Sequence, residues 1–201
     1  MSETARLEAF SDGVFAIAIT LLIIEIKVPS HEAAEHAGGL LRALIHVWPS
    51  FVGYVISFVT LGIMWINHHA LCSYIGRVDC YFLFIHVLFL MCIAFLPFPT
   101  AVLAEYLPHP EERRAAVASY SATLVVIALA YNAVWWSAAI NRRLLKPGCD
   151  ADAVRTISRR YMVGPAAYGV SLALAFVSVV ASLSVHAALA AFFLLPERKG
   201  R

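Results

Sequence analysis

The sequence predicts an all-α protein that crosses a membrane several times. Of its 201 residues, 61% are apolar and only 14% carry a charge, whereas about 25% of residues in soluble domains are charged. The charges are also segregated, because four long runs contain no Asp, Glu, Lys or Arg: Ala43–Gly76, Cys80–Ala104, Ala115–Asn141 and Tyr161–Leu195. A helix needs about 20 mostly apolar residues to cross a bilayer, so each run can span it at least once.

The placement of polar residues and prolines predicts four helices before the last apolar run: Arg6–Val28, Leu44–His68, Cys80–Leu96 and Ala118–Asn141. We expect the first helix to end before Pro29, because the residue that precedes a proline disfavours the helical conformation. Pro97 and Pro99 are expected to end the third helix.

The last apolar run is too long for one span. As a single helix it would measure about 52 Å at 1.5 Å per residue, against a hydrocarbon core of about 30 Å. The segment Ser182-Leu183-Ser184 is the expected turn, which gives a fifth helix over Met162–Ala181 and a short sixth helix over Val185–Leu195. The prediction is a single domain, residues 1–201, with six spans; five spans are the alternative.

The basic residues predict the orientation, since Lys and Arg concentrate on the cytoplasmic side of membrane proteins. With the N-terminus inside, the cytoplasmic set is Arg6, Arg77, Arg142, Arg143, Lys146, Arg155, Arg159, Arg160, Arg198, Lys199 and Arg201. The outer set is smaller: Lys27, Arg42, Arg113 and Arg114. Both termini are therefore expected in the cytoplasm of a multi-pass cell-membrane protein. The net charge of +2 is too small to indicate nucleic-acid binding.

The first helix carries a concentrated group of polar residues, Arg6 to Gly13, before an apolar stretch. At about 100° per residue, four residues of this helix share one face about 100° wide: Ile17, Thr20, Leu21 and Ile24. On spacing alone, such a face is more often ordinary helix packing than a pore. Asp12 falls about 140° away from it, so we interpret Ser11 and Asp12 as packing and hydrogen-bonding residues.

The string R-x-x-x-F-S-D-G from Arg6 to Gly13, followed by V-F-A-I-A-I-T-L-L and Glu25, resembles the signature of the transmembrane protein 175 family of potassium channels. The end of the second helix, Trp65-Ile66-Asn67-His68-His69, is similar to the Trp and His cluster of that family. The chain length and the six expected spans are similar to those of its single-repeat prokaryotic members.

The resemblance implies a homo-tetrameric, moderately selective potassium channel whose four first helices line a central pore. It also implies that Ile17 forms the narrowest point as a hydrophobic gate and that Thr20 contributes to potassium preference, with Leu21 and Ile24 on the same pathway. Potassium is then the permeant ion, and no cofactor is expected. A supporting polar network is expected from Arg6, Phe10, Ser11, Asp12, Gly13, Trp65, Asn67, His68 and His69. In it, Trp65 and His68 are expected to bond to Arg6 and Ser11.

Two other classes of function agree less well with the residues. A haem-binding redox protein needs paired histidines at matching depth on facing helices, and His46, His68, His86 and His186 offer no convincing pair from sequence. A secondary transporter or proton-coupled carrier usually carries acidic residues deep in the membrane, where these spans have none. No catalytic or metal-ligand spacing indicates an enzyme. Glu25, near the outer end of the first helix, is expected to attract cations or to be inert.

Overall fold

The computed structural model describes residues 3–140 and 143–194, and the regular elements in these ranges are helices. In chain order they are α1 (Glu3–Leu21), α2 (His31–His36), α3 (Leu40–His46), α4 (Trp48–Tyr74), α5 (Cys80–Phe95), α6 (Pro97–Tyr106), α7 (Arg113–Ala139), α8 (Ala151–Tyr161), α9 (Val163–Ala175) and α10 (Val179–Leu194). A 3-10 turn over Leu22–Glu25 extends α1. The all-α prediction is confirmed.

Several predicted positions lie outside the described residues: Asn141, Arg142, Leu195, Arg198, Lys199 and Arg201. Within the described ranges, four helical segments are long and apolar enough to cross a membrane: Glu3–Glu25, Trp48–Tyr74, Cys80–Tyr106 and Arg113–Ala139. They correspond to the first four predicted spans, so the multi-pass prediction is confirmed. Helices α9 and α10 are shorter, with 13 and 16 residues.

The ends of the first two predicted spans are shifted. The helical path after α1 stops before Val28, because the backbone at Ile26 is already extended. Leu44 belongs to α3 instead of the second span, which begins at Trp48 and runs beyond its predicted end. Pro49 occupies the first turn of α4, where the missing N–H costs no hydrogen bond. Helix α7 likewise begins before its predicted start and ends earlier than predicted.

The prediction that Pro97 and Pro99 end the third span is wrong. Helix α5 ends at Phe95, but α6 begins at Pro97, and the two together form one apolar span that continues to Tyr106. A proline breaks a helix in its interior, whereas in the first turn its absent N–H needs no partner. The two buried prolines therefore lie where the two helical segments of one span, α5 and α6, meet.

The last apolar run does form two helices, but the predicted turn at Ser182-Leu183-Ser184 is wrong. The turn lies at 176–178, so the fifth and sixth helices are α9 and α10 instead of Met162–Ala181 and Val185–Leu195. The Oγ of Ser178 accepts the backbone N–H of Ala181 at 3.3 Å, as a residue that caps a helix start does. Ser182 instead lies inside α10, where its Oγ is 2.8 Å from the Oγ of Ser171 across the hairpin.

Helix α7 is the centre of the bundle, and it packs against α5, α6, α8, α9 and α10. Its side chains Tyr120, Leu124 and Trp135 are fully buried. Helix α1 lies at the edge of the single chain and packs mainly against α4 and α5. Among residues 3–140 and 143–194, this arrangement leaves one side of α1 without a neighbour.

Two loops that are both expected on the cytoplasmic side meet at one end of the bundle. Ile75, after α4, and Leu145, after α7, form an antiparallel β-bridge. Arg143 forms an ion pair with Asp79, which precedes α5. Because these contacts bring both loops to the same end, they agree with the placement of both on the same side of the membrane.

Candidate pore helix and its polar supports

The four residues expected to line a pore lie on an exposed face of α1 and its following turn. The side chains of Ile17, Leu21 and Ile24 are 62%, 41% and 59% exposed, and Thr20 is exposed as well. The buried residues of α1 occupy the other face: Leu7, Ser11, Phe15 and Ala18. An apolar face that its own chain does not cover must contact lipid or another protein molecule.

Thr20 supplies a hydroxyl group to this exposed face. Its Oγ1 lies 3.0 Å from the carbonyl oxygen of Ala16 and 2.9 Å from that of Ile17, so the hydroxyl proton is donated back to the helix. A hydroxyl oxygen that donates its proton keeps its lone pairs for accepting or for coordinating a cation. The face therefore combines three apolar side chains with one hydroxyl oxygen.

Asp12 points away from the exposed face, as the helical spacing predicts. Its Oδ1 accepts the indole N–H of Trp65 from α4, with 2.8 Å between the two atoms. The structure thus pairs Trp65 with Asp12 instead of Arg6 or Ser11, the partners expected from the resemblance. The difference has a simple origin, because Arg6 lies on the exposed side of α1 and Ser11 on the fully buried side.

Ser11 connects α1 to two further helices. Its hydroxyl donates to the carbonyl oxygen of Leu7 at 2.8 Å, and its Oγ lies 3.0 Å from Nε2 of His86 on α5. The same Nε2 lies 3.0 Å from Nε2 of His68 on α4. One imidazole nitrogen carries at most one proton, so the tautomers of His68 and His86 decide which atom donates in each of the two contacts. His68 therefore reaches Ser11 through His86.

His86 is the member of this network that sequence reasoning missed, since it was considered only as a haem ligand. A signal for it was present, because a polar side chain inside a charge-free span needs a partner within the protein. The identity of that partner depends on α5 packing beside α1, which no pattern within the sequence specifies.

Aromatic rings enclose the buried network. The ring of Phe15 lies 5.6 Å from the His68 ring and 6.1 Å from the Phe89 ring, measured between centroids. The rings of His68 and Phe89 are stacked, with 6.0 Å between centroids and 16° between planes. Phe15 lies one helical turn after Ser11, so the same buried face of α1 supplies both the hydroxyl and the ring.

His69 and Asn67, the other two polar residues expected from α4, have different partners. His69 contacts α1, because its Nδ1 lies 2.8 Å from Oε1 of Glu8. The hydrogen bonds of Asn67 go to α4 itself and to α7: its side-chain amide donates to the carbonyl oxygen of Ile63 on α4, and its backbone carbonyl accepts the hydroxyl of Tyr131 on α7.

Three further residues of the motif lie on the exposed side of α1. Arg6 is exposed, and the side chain of Phe10 is 58% exposed. A Cβ atom built on Gly13 would meet nothing within 4 Å. In the described part of the chain, these three residues lie apart from the buried network of Ser11, His86 and His68.

A cavity of about 870 Å³ lies beyond the expected outer end of the exposed face. Its lining includes Glu25, Lys27, His36, His46 and Glu105. Glu25 ends the turn after α1, so a carboxylate stands where the exposed face meets the cavity.

The geometry argues against a haem site at the closest histidine pair. His68 and His86 do lie on facing helices, but their Nε2 atoms are 3.0 Å apart. Two metal–nitrogen bonds of about 2 Å need about 4 Å between the nitrogens, so no iron fits between them in this arrangement. Among residues 3–140 and 143–194, no group of three or more His, Cys, Asp or Glu is placed to hold a metal ion.

Comparison with known proteins adds the following similarities. Residues 6–97 match the family model described as endosomal/lysosomal potassium channel TMEM175. A potassium channel of Streptomyces collinus is 47% identical over 193 residues, which cover 96% of this chain and 92% of the relative. A potassium channel of Chamaesiphon minutus is 47% identical over 194 residues, covering 96% and 95%. The crystal structure of a lysosomal potassium-selective channel TMEM175 homolog from Chamaesiphon minutus has a TM-score of 0.87 and 44% identity, covering 96% of this chain and 97% of that one.

Proposed function

Because the chain belongs to the family of the endosomal/lysosomal potassium channel TMEM175, we propose that it is a potassium channel of the cell membrane. Potassium is the permeant ion, and no cofactor takes part. The relatives named as potassium channels match nearly the whole chain, so the proposal concerns the complete helical unit and not one segment of it.

One observation carries the proposed mechanism, namely the exposed face of α1. A single helix cannot enclose a path for ions, so the pore requires several copies of α1 around one axis. We place four copies there, forming a homo-tetramer in which Ile17, Thr20, Leu21 and Ile24 face the axis. The uncovered area of α1 supports this arrangement, because its opposite face already packs against α4 and α5.

In this assembly Ile17 forms the gate. A ring of apolar side chains excludes water when it is narrow, and a cation that crosses it must lose part of its hydration shell. Widening or rotation of the four helices readmits water and allows conduction. One turn further on, the ring of Thr20 oxygens offers partial replacement for the lost water, which supports a moderate preference for potassium.

The polar contacts of α1 set its rotation about its own axis. The Asp12–Trp65 bond and the Ser11–His86 contact both lie off the pore-facing side, and they connect α1 to two different helices. Two attachments on different helices fix the direction in which Ile17 points. Their role is positioning, since neither group touches the ion.

The proposed topology has six spans with both termini in the cytoplasm. Helices α9 and α10 are each shorter than the roughly 20 residues that cross a full bilayer. We assign them as the fifth and sixth spans because they form a hairpin packed against α7, and local thinning of the bilayer accommodates short hydrophobic helices. The contact between the two basic loops supports a common cytoplasmic side for the ends of α4 and α7.

The deciding experiment is ion flux through purified protein reconstituted into liposomes. With potassium inside and sodium outside, we expect potassium efflux well above that of protein-free vesicles, and lower flux when the two ions are exchanged. Cross-linking in mild detergent should give a four-subunit product. Equal leak in protein-free vesicles would reject the channel, and a product that never exceeds one subunit would reject the tetrameric pore.

A further inference from the structure

We propose that a basic pocket at the cytoplasmic end of the chain binds a phosphate group, from an anionic lipid headgroup or from inorganic phosphate. The basic pocket is the cavity of about 480 Å³ between the loops that follow α4 and α7, with Arg77, Arg143 and Lys146 in its walls. This volume lies within the range of about 300–1,000 Å³ that is usual for small-molecule sites.

The pocket is built by a close approach of the two loops. The backbone N–H of Lys146 donates to the carbonyl oxygen of Tyr74 at 2.9 Å, and that of Gly76 donates to Leu144 at 2.8 Å. A Cβ atom at Gly76 would lie 3.1 Å from Cα of Lys146, so a larger residue would push the loops apart. Glycine at this position holds Arg77 and Lys146 on adjacent walls.

A tight turn fixes the second wall. The turn runs from Lys146 through Pro147 and Gly148 to Cys149, whose N–H donates to the carbonyl oxygen of Lys146 at 3.3 Å. Gly148 has φ +88°, the left-handed value that the third residue of a type II turn needs, and proline is favoured at the second. The backbone that carries the Lys146 side chain is therefore restrained.

The charges of the pocket are unbalanced. Of the residues that the structure describes, none that lines the pocket carries a carboxylate, and Asp79 outside it neutralises Arg143. Arg77 and Lys146 are exposed, and neither forms an ion pair with any residue in the described ranges. Two uncompensated cations beside a cavity favour an anion, and a guanidinium with an ammonium group is a common combination around phosphate oxygens.

The location points to the membrane surface. The pocket lies at the ends of α4 and α7, which are membrane spans, at the side we assign to the cytoplasm. Anionic headgroups at the cytoplasmic leaflet attract basic residues at this depth. Only the assignment to that leaflet rests on the proposed topology; binding of phosphate to the pocket does not depend on ion conduction.

The test uses the full chain in neutral detergent with two probes, short-chain phosphatidic acid and inorganic phosphate, and with phosphatidylcholine as the neutral lipid. Bound lipid is counted by native mass spectrometry, and phosphate affinity is taken from the shift of the unfolding midpoint at constant ionic strength. We compare the wild type with the double variant Arg77→Gln/Lys146→Gln. Its affinity for the phosphate probe should fall about tenfold, because two charged donors are lost.

Two matched double variants separate the pocket from general surface charge. Arg113→Gln/Arg114→Gln removes two exposed charges from the first turn of α7, and Arg155→Gln/Arg159→Gln removes two from α8. Both should keep wild-type affinity. The proposal is overturned if the affinity for the phosphate probe falls equally in the α8 variant. It is also overturned if the wild type binds the phosphate probes no more strongly than phosphatidylcholine. Binding of phosphatidic acid alone identifies the lipid as the source, while binding of both probes identifies the phosphate group itself.

Discussion

Trp65 of α4 donates its indole N–H to Oδ1 of Asp12 on α1, with 2.8 Å between the two atoms. The bond joins α4, the second span, to α1, the helix with the exposed apolar face. Replacing Trp65 by Phe should keep an aromatic ring but remove the donor, at a cost of about 1 kcal/mol of stability. Thermal unfolding in detergent measures this change.

The Asp12→Asn variant is the matched control for that bond. An amide oxygen still accepts the indole N–H, so Asp12→Asn should change the unfolding midpoint less than Trp65→Phe does. A larger effect of Asp12→Asn would show that the negative charge, and not the hydrogen bond, supports α1 at this position.

Replacement of Ile17 by Asn should raise the resting potassium current several-fold. A polar ring stays hydrated at a width where an isoleucine ring excludes water. Leu129 on α7 is also an exposed apolar residue of a span, at 50% against 62% for Ile17, so Leu129→Asn is the control. Single-channel recording in planar bilayers checks both variants. If the two replacements have the same effect, Ile17 faces lipid.

Thr20 provides a test of ion preference. Thr20→Ala removes the exposed oxygen, and we expect the potassium-to-sodium permeability ratio to fall several-fold. Thr20→Ser keeps a hydroxyl on the same helical turn and should preserve most of the ratio. Reversal potentials under bi-ionic conditions give the ratio directly. An unchanged ratio in Thr20→Ala would remove this side chain from the selectivity mechanism.

The contact between His68 and His86 should appear as non-additive stability. Each single replacement by Leu leaves the other buried imidazole without this partner, which costs about 1–3 kcal/mol. The double variant should therefore lose less than the sum of the singles, by about 1 kcal/mol. His186 has different partners, Ser121 and Ser171, so His68→Leu combined with His186→Leu should be additive. Equal additivity in both pairs would contradict the coupling.

Replacement of Gly76 by Ala tests the close approach of the two loops that follow α4 and α7. Gly76→Ala places a methyl group 3.1 Å from Cα of Lys146, and the resulting displacement should destabilise the protein by about 1–3 kcal/mol. Gly62, inside α4, has nothing within 4 Å of its virtual Cβ, so Gly62→Ala should be neutral or stabilise by up to about 1 kcal/mol. Unfolding midpoints of the two variants measure the difference.

The sequence predicts those features that depend on local periodicity. Charge-free runs identify three of the four long spans, and the helical spacing of α1 separates Asp12 from the face that contains Ile17. Features that depend on neighbouring helices are not predictable in this way. The link from Ser11 to His68 needs His86 from a third helix, and nothing in the spacing of these residues indicates that a side chain of α5 bridges them.

Two errors concern residues that have more than one structural use. Pro97 reads as a helix end, yet it also suits the first turn of a new helix on the same axis. Ser182 reads as a turn residue, yet in a membrane hairpin its hydroxyl bonds to Ser171 on the facing helix. The nearby Ser178 performs the capping role, and only the packing of α9 against α10 distinguishes the two serines.

The attachment of α1 by a single face also bears on how the protein is made. This helix leaves the ribosome before its partners, since Trp65 and His86 are translated more than fifty residues after Asp12 and Ser11. Until then the nascent segment must reside in lipid with Asp12 and Ser11 still hydrated or bound to an insertion factor. We therefore expect membrane insertion of the first segment to be reversible until the third has followed it.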